Sequence, residues 1–377
     1  MNYLESVFSS KELAALKKAC FTFSKKSYGS FAEIQDRDVI VFGAGLFGQI
    51  VVDMLLREGI VPKYCIDSNP AKIGTRYRDI NILSVETLQK ESYPLVILTS
   101  AYAREMFEQC KKYKVETILP VDLPPSSIPA PPVGYHFDEA AGTAEIAELA
   151  SLLDEQSLLV LKNFLAFQLT LDLKFIKKIY IPDPYYAPDM LSMVRYDVFC
   201  DLGASIGDTY KDFLKHTIPG KTGQYKYYAF EPDYDSFLQL QNTTKDDTNV
   251  VASFLAIAKS DGLMAISGSG IESSLLVSDR ENRREVQVKS LDSFFKGKNP
   301  LPTILKADVE GYEMEVLRGA DNLIRSQRPD LIFSVYHKKE DIYAIPLYIH
   351  RLNLGYSIHL RQHSETYGDT VVYAIAT

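Results

Sequence analysis

The residues best suited to chemistry in this chain are carboxylates that close apolar runs. "VFCDLG" carries Asp201, "YYAFEPD" carries Glu231, and "TILKADVEGYE" carries Asp308 and Glu310. Each run is short and apolar, as a strand buried on both faces would be, so each acid falls at a strand tip. In an open parallel sheet the ligand crevice lies beyond those tips, where the four acids should meet. Grouped carboxylates repel, and a cationic ligand, a shared proton or a metal would offset the repulsion. "DLIFSVYH" brings Tyr336 and His337 to the same edge. A neutral histidine there can take the proton of a hydroxyl nucleophile. His363, in the "LRQHSE" turn, is a second candidate for the crevice. For either histidine the plain alternative is a structural or surface role. Asp308, Glu310 and His337 include oxygen and nitrogen donors, but their spacing compels no metal and none is assigned.

The turn that follows the first of these strands runs Asp201-Leu-Gly203-Ala204-Ser205-Ile-Gly207 and continues into Asp208 and Thr209. Its glycines stand four apart, unlike those of a dinucleotide loop. Glycine lets a ligand approach the backbone closely, and the helix that follows offers free amides at a positive dipole end. Glu231, about 24 residues beyond Gly207, can accept both hydroxyls of a ribose. The pattern asks for a nucleoside without a pyrophosphate. S-adenosylmethionine fits: its carboxylate meets the turn amides, its sulfonium tolerates nearby acids, and its ribose meets Glu231. The plain alternative is a strand-to-helix turn that holds nothing.

A second loop lies upstream. "VIVFGAGLFGQIVVDML" sets Gly43, Gly45 and Gly48 in true G-x-G-x-x-G spacing, and Asp67 follows Gly48 by 19 residues at the next strand tip. By motif this is a nucleotide or nicotinamide site. No Tyr-Lys pair or substrate domain of its own accompanies it, so a module that only packs, or that supports a homodimer, is the alternative.

These loops need two sheets to hold them, and 377 residues are enough for two cores. "VIVFG", "PKYCID", "INILS", "LVILTS" and "TILPV" alternate with helical stretches, which predicts a parallel sheet with crossover helices over residues 1–122. A proline-rich linker follows at 123–136, and three- and four-residue apolar spacing predicts helices through the segment 137–190, capping a second α/β series at 191–377. That series closes with "YSIHLRQH" and "TVVYAIAT", an expected antiparallel hairpin. "VASFLAIA" reads as one strand and the Asp261-Gly262 pair after it as a hairpin turn, which argues against Asp261 as an adenine ligand; "GSGIESSLLV", 268–277, reads as a small-residue loop bordering the site.

Composition narrows the partners. A net charge of −8 disfavours nucleic acid and anionic membrane, no run is long and apolar enough to span a bilayer, and no signal peptide is read at the start. Cys20, Cys65, Cys110 and Cys200 are scattered without a metal or redox spacing. A cytoplasmic protein acting on a small molecule or glycan is the expectation.

From about Ser157 onward, "DLGASIGDT", "AFEPD", "VKSLDSFF", "LKADVEGYEMEVLRGA" and "SVYHKKEDIYAIP" together make the chain resemble the FkbM-type S-adenosylmethionine-dependent methyltransferases. The resemblance implies a class I methyltransferase fold, with a seven-stranded sheet ending in an antiparallel hairpin, and O-methylation of sugar or polyketide hydroxyls. It assigns Asp201, Gly203, Gly207 and Glu231 to the donor and puts Asp308 and Glu310 beside the transferred methyl. It also suggests that Tyr185 and Tyr186, in "PDPYYAPDML", close over the donor. The first loop resembles Rossmann-like modules on bacterial sugar-modifying enzymes, some of which bind nucleotide sugars. Two Rossmann-like domains, a sugar hydroxyl as acceptor and a place in polysaccharide biosynthesis follow as expectations. An NAD-dependent oxidoreductase or a non-catalytic nucleotide-sugar binding module, each built on the first loop, are the competing readings.

Overall fold

The computed structural model describes residues 3–19, 27–124, 143–217, 225–266, 284–338 and 340–377. The chain forms two compact units: Met1–Ala141 with Lys162–Lys178 and Glu365–Tyr367, and Gly142–Leu161 with Ile179–Ser364 and Gly368–Thr377. Most of the proline-rich linker and all of 268–277 lie outside the described residues.

In the first unit, β1 (Val39–Phe42), β2 (Tyr64–Ile66), β3 (Arg76–Tyr77), β4 (Ile80–Leu83), β5 (Leu95–Leu98) and β6 (Glu116–Ile118) form a sheet of order β3-β4-β2-β1-β5-β6. All its pairings are parallel except β3 with β4. β1 and β5 are buried along their whole length because helices cover both faces of such a sheet.

In the second unit, β7 (Val198–Leu202), β8 (Lys226–Glu231), β9 (Val250–Phe254), β10 (Ala256–Ile257), β11 (Gly262–Ile266), β12 (Arg284–Lys289), β13 (Ile304–Ala307), β14 (Asp330–Ser334), β15 (Tyr356–Gln362) and β16 (Thr370–Ala376) supply two sheets among the described residues. The larger has seven strands in the order β15-β16-β14-β13-β7-β8-β9, and the smaller the order β10-β12-β11. β9, β8, β7, β13 and β14 run parallel, and β16 turns back against β14 and pairs with β15. The chain order reverses between β7 and β13, so the crevice opens at their carboxyl ends. Tyrosine and phenylalanine fill the layer beneath: Phe199 stacks on Tyr227 at 5.0 Å, and Phe213 meets both edge-on.

Two expectations fail here for topological reasons. "VASFLAIA" is not one strand: it breaks at Leu255, leaving β9 in the large sheet and β10 in the small one. Nor does the Asp261-Gly262 pair make a hairpin of β10 and β11, because β12 lies between them, parallel to β10 and antiparallel to β11. Asp261 instead accepts bonds from the Ser290 amide and the Ser293 hydroxyl. No described helix is long and apolar enough to cross a membrane.

Candidate active site at the carboxyl ends of the parallel strands

A crevice of about 290 Å³ opens where β7, β8 and β13 end, lined by the turn after β7, the tip of β8 and the segment after β13. The turn is shaped by its own chain. Gly203 has φ +76°, and a Cβ there would lie 1.9 Å from the Asp308 carbonyl oxygen. At Gly207, φ +85°, a Cβ would meet Thr243 at 3.0 Å. The side-chain direction at both glycines is therefore taken by neighbouring backbone and helix, while Gly203 itself lines the crevice. The turn amides expected to hold a donor carboxylate are engaged as well. Gly203 and Ala204 donate to the Phe230 carbonyl, Gly207 donates to that of Ala204, and Ser205 donates to Glu231 Oε2 at 2.8 Å. Ser205, Asp208 and Thr209 still face the crevice, the latter two at the first turn of helix Asp208–Thr217.

Glu231 lies at the tip of β8 and lines the crevice. It accepts from Ser205 and, through Oε1, from the Asp233 amide at 2.7 Å. Burial pushes its carboxyl up to about 7 against the pull of those two amides. Each carboxylate oxygen keeps a lone pair for a further donor.

Beneath the turn lies a group that sequence reading missed. Lys306, in the middle of β13, is buried, with Nζ 2.9 Å from Asp201 Oδ1 and 2.9 Å from the Gly203 carbonyl oxygen. Asp201, directly opposite in register, takes the Tyr227 hydroxyl at 2.7 Å and does not line the crevice. Burial would pull the Lys306 ammonium down, but Asp201 and then Asp308 outweigh it and hold it charged. The acid expected to touch the donor is thus the internal partner of a lysine that does reach the crevice.

The opposite wall gathers Asp308, Glu310, Tyr185 and Tyr336. Tyr185 donates to Asp308 Oδ2 at 2.8 Å and Tyr336 to Oδ1 at 3.3 Å. Burial would raise the Asp308 carboxyl, yet His337 and then Lys306 hold it below its ordinary value. Glu310, by contrast, is raised by its surroundings, with desolvation the main cause. Behind them His337 has Nδ1 2.9 Å from Glu313 Oε1 and Nε2 3.5 Å from Asp308 and 3.6 Å from Glu310. Burial alone would lower the imidazole, but Glu313, Asp308 and Glu310 together carry it up to about 10. These acids favour the protonated ring, which cannot accept a proton, against the neutral base expected from the sequence. Ser205, Tyr185 and Glu310 all hold left-handed backbone, at φ 46°, 68° and 52°. Such conformations cost roughly 1–3 kcal/mol each and persist where surrounding structure fixes them.

Other expected residues stand elsewhere. Tyr186 is fully buried, stacks on Tyr196 and His216, and donates to the Thr209 carbonyl, so of the tyrosine pair only Tyr185 borders the crevice. His363 is interior, with Nδ1 at the Ile181 carbonyl and Nε2 at the Tyr373 hydroxyl, and burial pulls it down to about 4. In the first unit Asp67 holds the loop itself: Oδ2 accepts the Ala44 amide at 2.8 Å, with Lys72 Nζ at 3.4 Å. A Cβ on Gly48 would lie 1.6 Å from the Gly43 carbonyl oxygen, whereas Gly45 is open except for Lys72 at 3.8 Å.

The second unit thus combines a parallel sheet with a reversed edge, a glycine turn after β7 and acids at the strand ends. Residues 201–358 match the methyltransferase FkbM domain. The hexuronic acid methyltransferase AglP of Haloferax volcanii is 29% identical over 133 residues, 34% of this chain and 52% of that protein. The chain thus spans about half the length of the curated relative it matches. The crystal structure of methyltransferase FkbM from Methylobacillus flagellatus KT covers 99% of this chain and 98% of its own at a TM-score of 0.69 and 19% identity, which shows a shared fold.

Proposed function

We propose that the second unit, a class I methyltransferase domain, moves a methyl group from S-adenosylmethionine to a sugar hydroxyl in a glycan or nucleotide sugar. The observation that carries the reading is the crevice between Glu231 and the Asp308–Glu310 wall, walled by acids on a cationic donor's path. Glu231, already fixed by two amides, has lone pairs left for ribose hydroxyls. The start of helix Asp208–Thr217 is left for the donor carboxylate. The sugar acceptor is supported by the name of the AglP relative alone.

When bound, the donor supplies an electrophilic methyl whose bond to sulfur breaks, with its electron pair, as the acceptor oxygen bonds to carbon. The residues of this chain align that oxygen and take its proton. Asp308, held by Tyr185 and Tyr336, positions; Glu310, with its raised carboxyl, receives the proton. Isothermal titration tests the first step: one donor per chain is expected, and Glu231→Gln should weaken it about tenfold or more. A wild-type protein that takes up no donor would end the reading.

A pH dependence follows from the same residue. Ribose hydroxyls donate to the carboxylate form of Glu231, so donor affinity should rise with pH up to about 7 and then level off. Below that point the loss is at most about tenfold per pH unit. For the empty protein the sign is opposite: the raised value means stability declines as pH climbs from 4.5 through about 7. Titrations between pH 5.5 and 8.5 (approximate range) should show the slope in wild type and not in Glu231→Gln.

A further inference from the structure

We infer that Asp308, Glu313 and His337 form a divalent-cation site of the Mn²⁺ type at the acceptor end of the crevice. The three side chains come from the end of β13, the start of helix Glu313–Gly319 and the segment after β14, and one donor atom of each lies within 4.8 Å of the others. Two oxygens and an imidazole nitrogen in that space are a donor set for a first-row divalent ion. Two ligands of one octahedral ion stand on the order of 3 Å apart. The Nδ1 to Glu313 contact, 2.9 Å, is of that size.

The unpartnered atoms argue for a ligand more strongly than the acids do. Glu313 is fully buried, and its Oε1 is tied to the Val309 amide at 2.9 Å and to the Gly311 amide at 3.4 Å. Its Oε2 has no hydrogen-bond partner, and His337 Nε2 has none although Asp308 and Glu310 stand 3.5 and 3.6 Å away; Nδ1 meets Glu313 Oε1 at 2.9 Å as an ion pair without hydrogen-bond geometry. Buried polar atoms are rarely left so, and an absent ion is one of the few reasons. Charge points the same way. Asp308, Glu310 and Glu313 outnumber the one positive charge His337 can carry, and Lys306 pairs with Asp201. Carboxylates suit both Mg²⁺ and Mn²⁺, and the imidazole tips the choice to Mn²⁺.

The role given to the ion rests on the methyltransferase reading; its presence does not. Asp308 and Glu310 line the crevice, so an ion held by Asp308 from behind that wall would polarise an acceptor hydroxyl reaching it, with Glu310 beside it to take the proton. The bond made and the bond broken are those already given, and the ion changes no oxidation state.

Mn²⁺ alone is titrated into the full chain and the free ion followed by its paramagnetic resonance signal. One ion per chain should disappear from that signal, and Glu313→Gln and His337→Gln should each weaken binding about tenfold or more. Glu313→Gln keeps an oxygen for the Val309 and Gly311 amides, and if it fails to fold, His337→Gln decides. An unchanged free signal with wild type means an internal ion pair only and overturns the inference, as do variants that bind as wild type does. Donor titration on the same sample separates the two readings: donor uptake without Mn²⁺ sinks only the cation site, and Mn²⁺ uptake without donor sinks only the proposed function.

Discussion

Lys306→Met is expected to destabilise the second unit by about 3–5 kcal/mol, the cost of leaving one member of a buried ion pair alone. Asp201 lies opposite Lys306 across β7 and β13, both fully out of solvent, and without the ammonium its carboxylate keeps only the Tyr227 hydroxyl. The Gly203 carbonyl loses a donor at the same time, in the turn after β7. A Lys306→Met, Asp201→Leu double variant removes both charges and should recover much of the loss, because two apolar side chains of similar size avoid the desolvation of an unpaired ion. Urea unfolding of the single and double variants measures the coupling. A single variant within about 1 kcal/mol of wild type, or a double variant whose loss is the sum of both singles, would show that the pair carries little.

That lysine also marks how far the sequence could be read. Strands such as Val198–Leu202 and Asp330–Ser334 stand out because a parallel strand buried on both faces is apolar nearly throughout. Glu231, Asp308 and Glu310 were legible as tip residues for the same reason, whereas Asp201 lies within β7. What sits between strands was not. Lys306 interrupts an apolar run in "TILKAD", and an isolated charge there calls for a buried counter-charge, but only the β7–β13 register says that it is Asp201. Glu313 lies two residues beyond the "DVEG" turn, within the stretch already singled out, yet its value depends on facing His337 from another segment. His337 itself was read as neutral because the three acids around it converge only in three dimensions. Likewise nothing local to "VASFLAIA" or Asp261-Gly262 tells that β12, from farther along the chain, pairs between β10 and β11.

Gly203→Ala should cost the protein donor binding, whereas Gly207→Ala should only weaken it. Both residues have φ in the left-handed region, so each alanine adds strain of roughly 1 kcal/mol. They differ in what the new methyl meets. At position 203 it meets the Asp308 backbone carbonyl at 1.9 Å, where the ends of β7 and β13 come together, and that oxygen cannot turn aside. Relief requires the turn or the β13 end to move, and either movement separates Ser205 and Glu231 from Asp308 and Glu310, the two walls of the crevice. At position 207 the methyl meets Thr243 Cγ2 at 3.0 Å and Leu240 Cδ1 at 3.2 Å, side-chain ends that can rotate. The expected order is a loss of donor affinity of about a hundredfold or more for Gly203→Ala, ~2.7 kcal/mol, and about tenfold or less for Gly207→Ala. Calorimetric titration of donor into both variants, with thermal melts to confirm that they fold, measures it. Equal losses would mean that the crevice does not depend on the close approach of the turn to the β13 end, and that glycine serves both positions through backbone conformation alone.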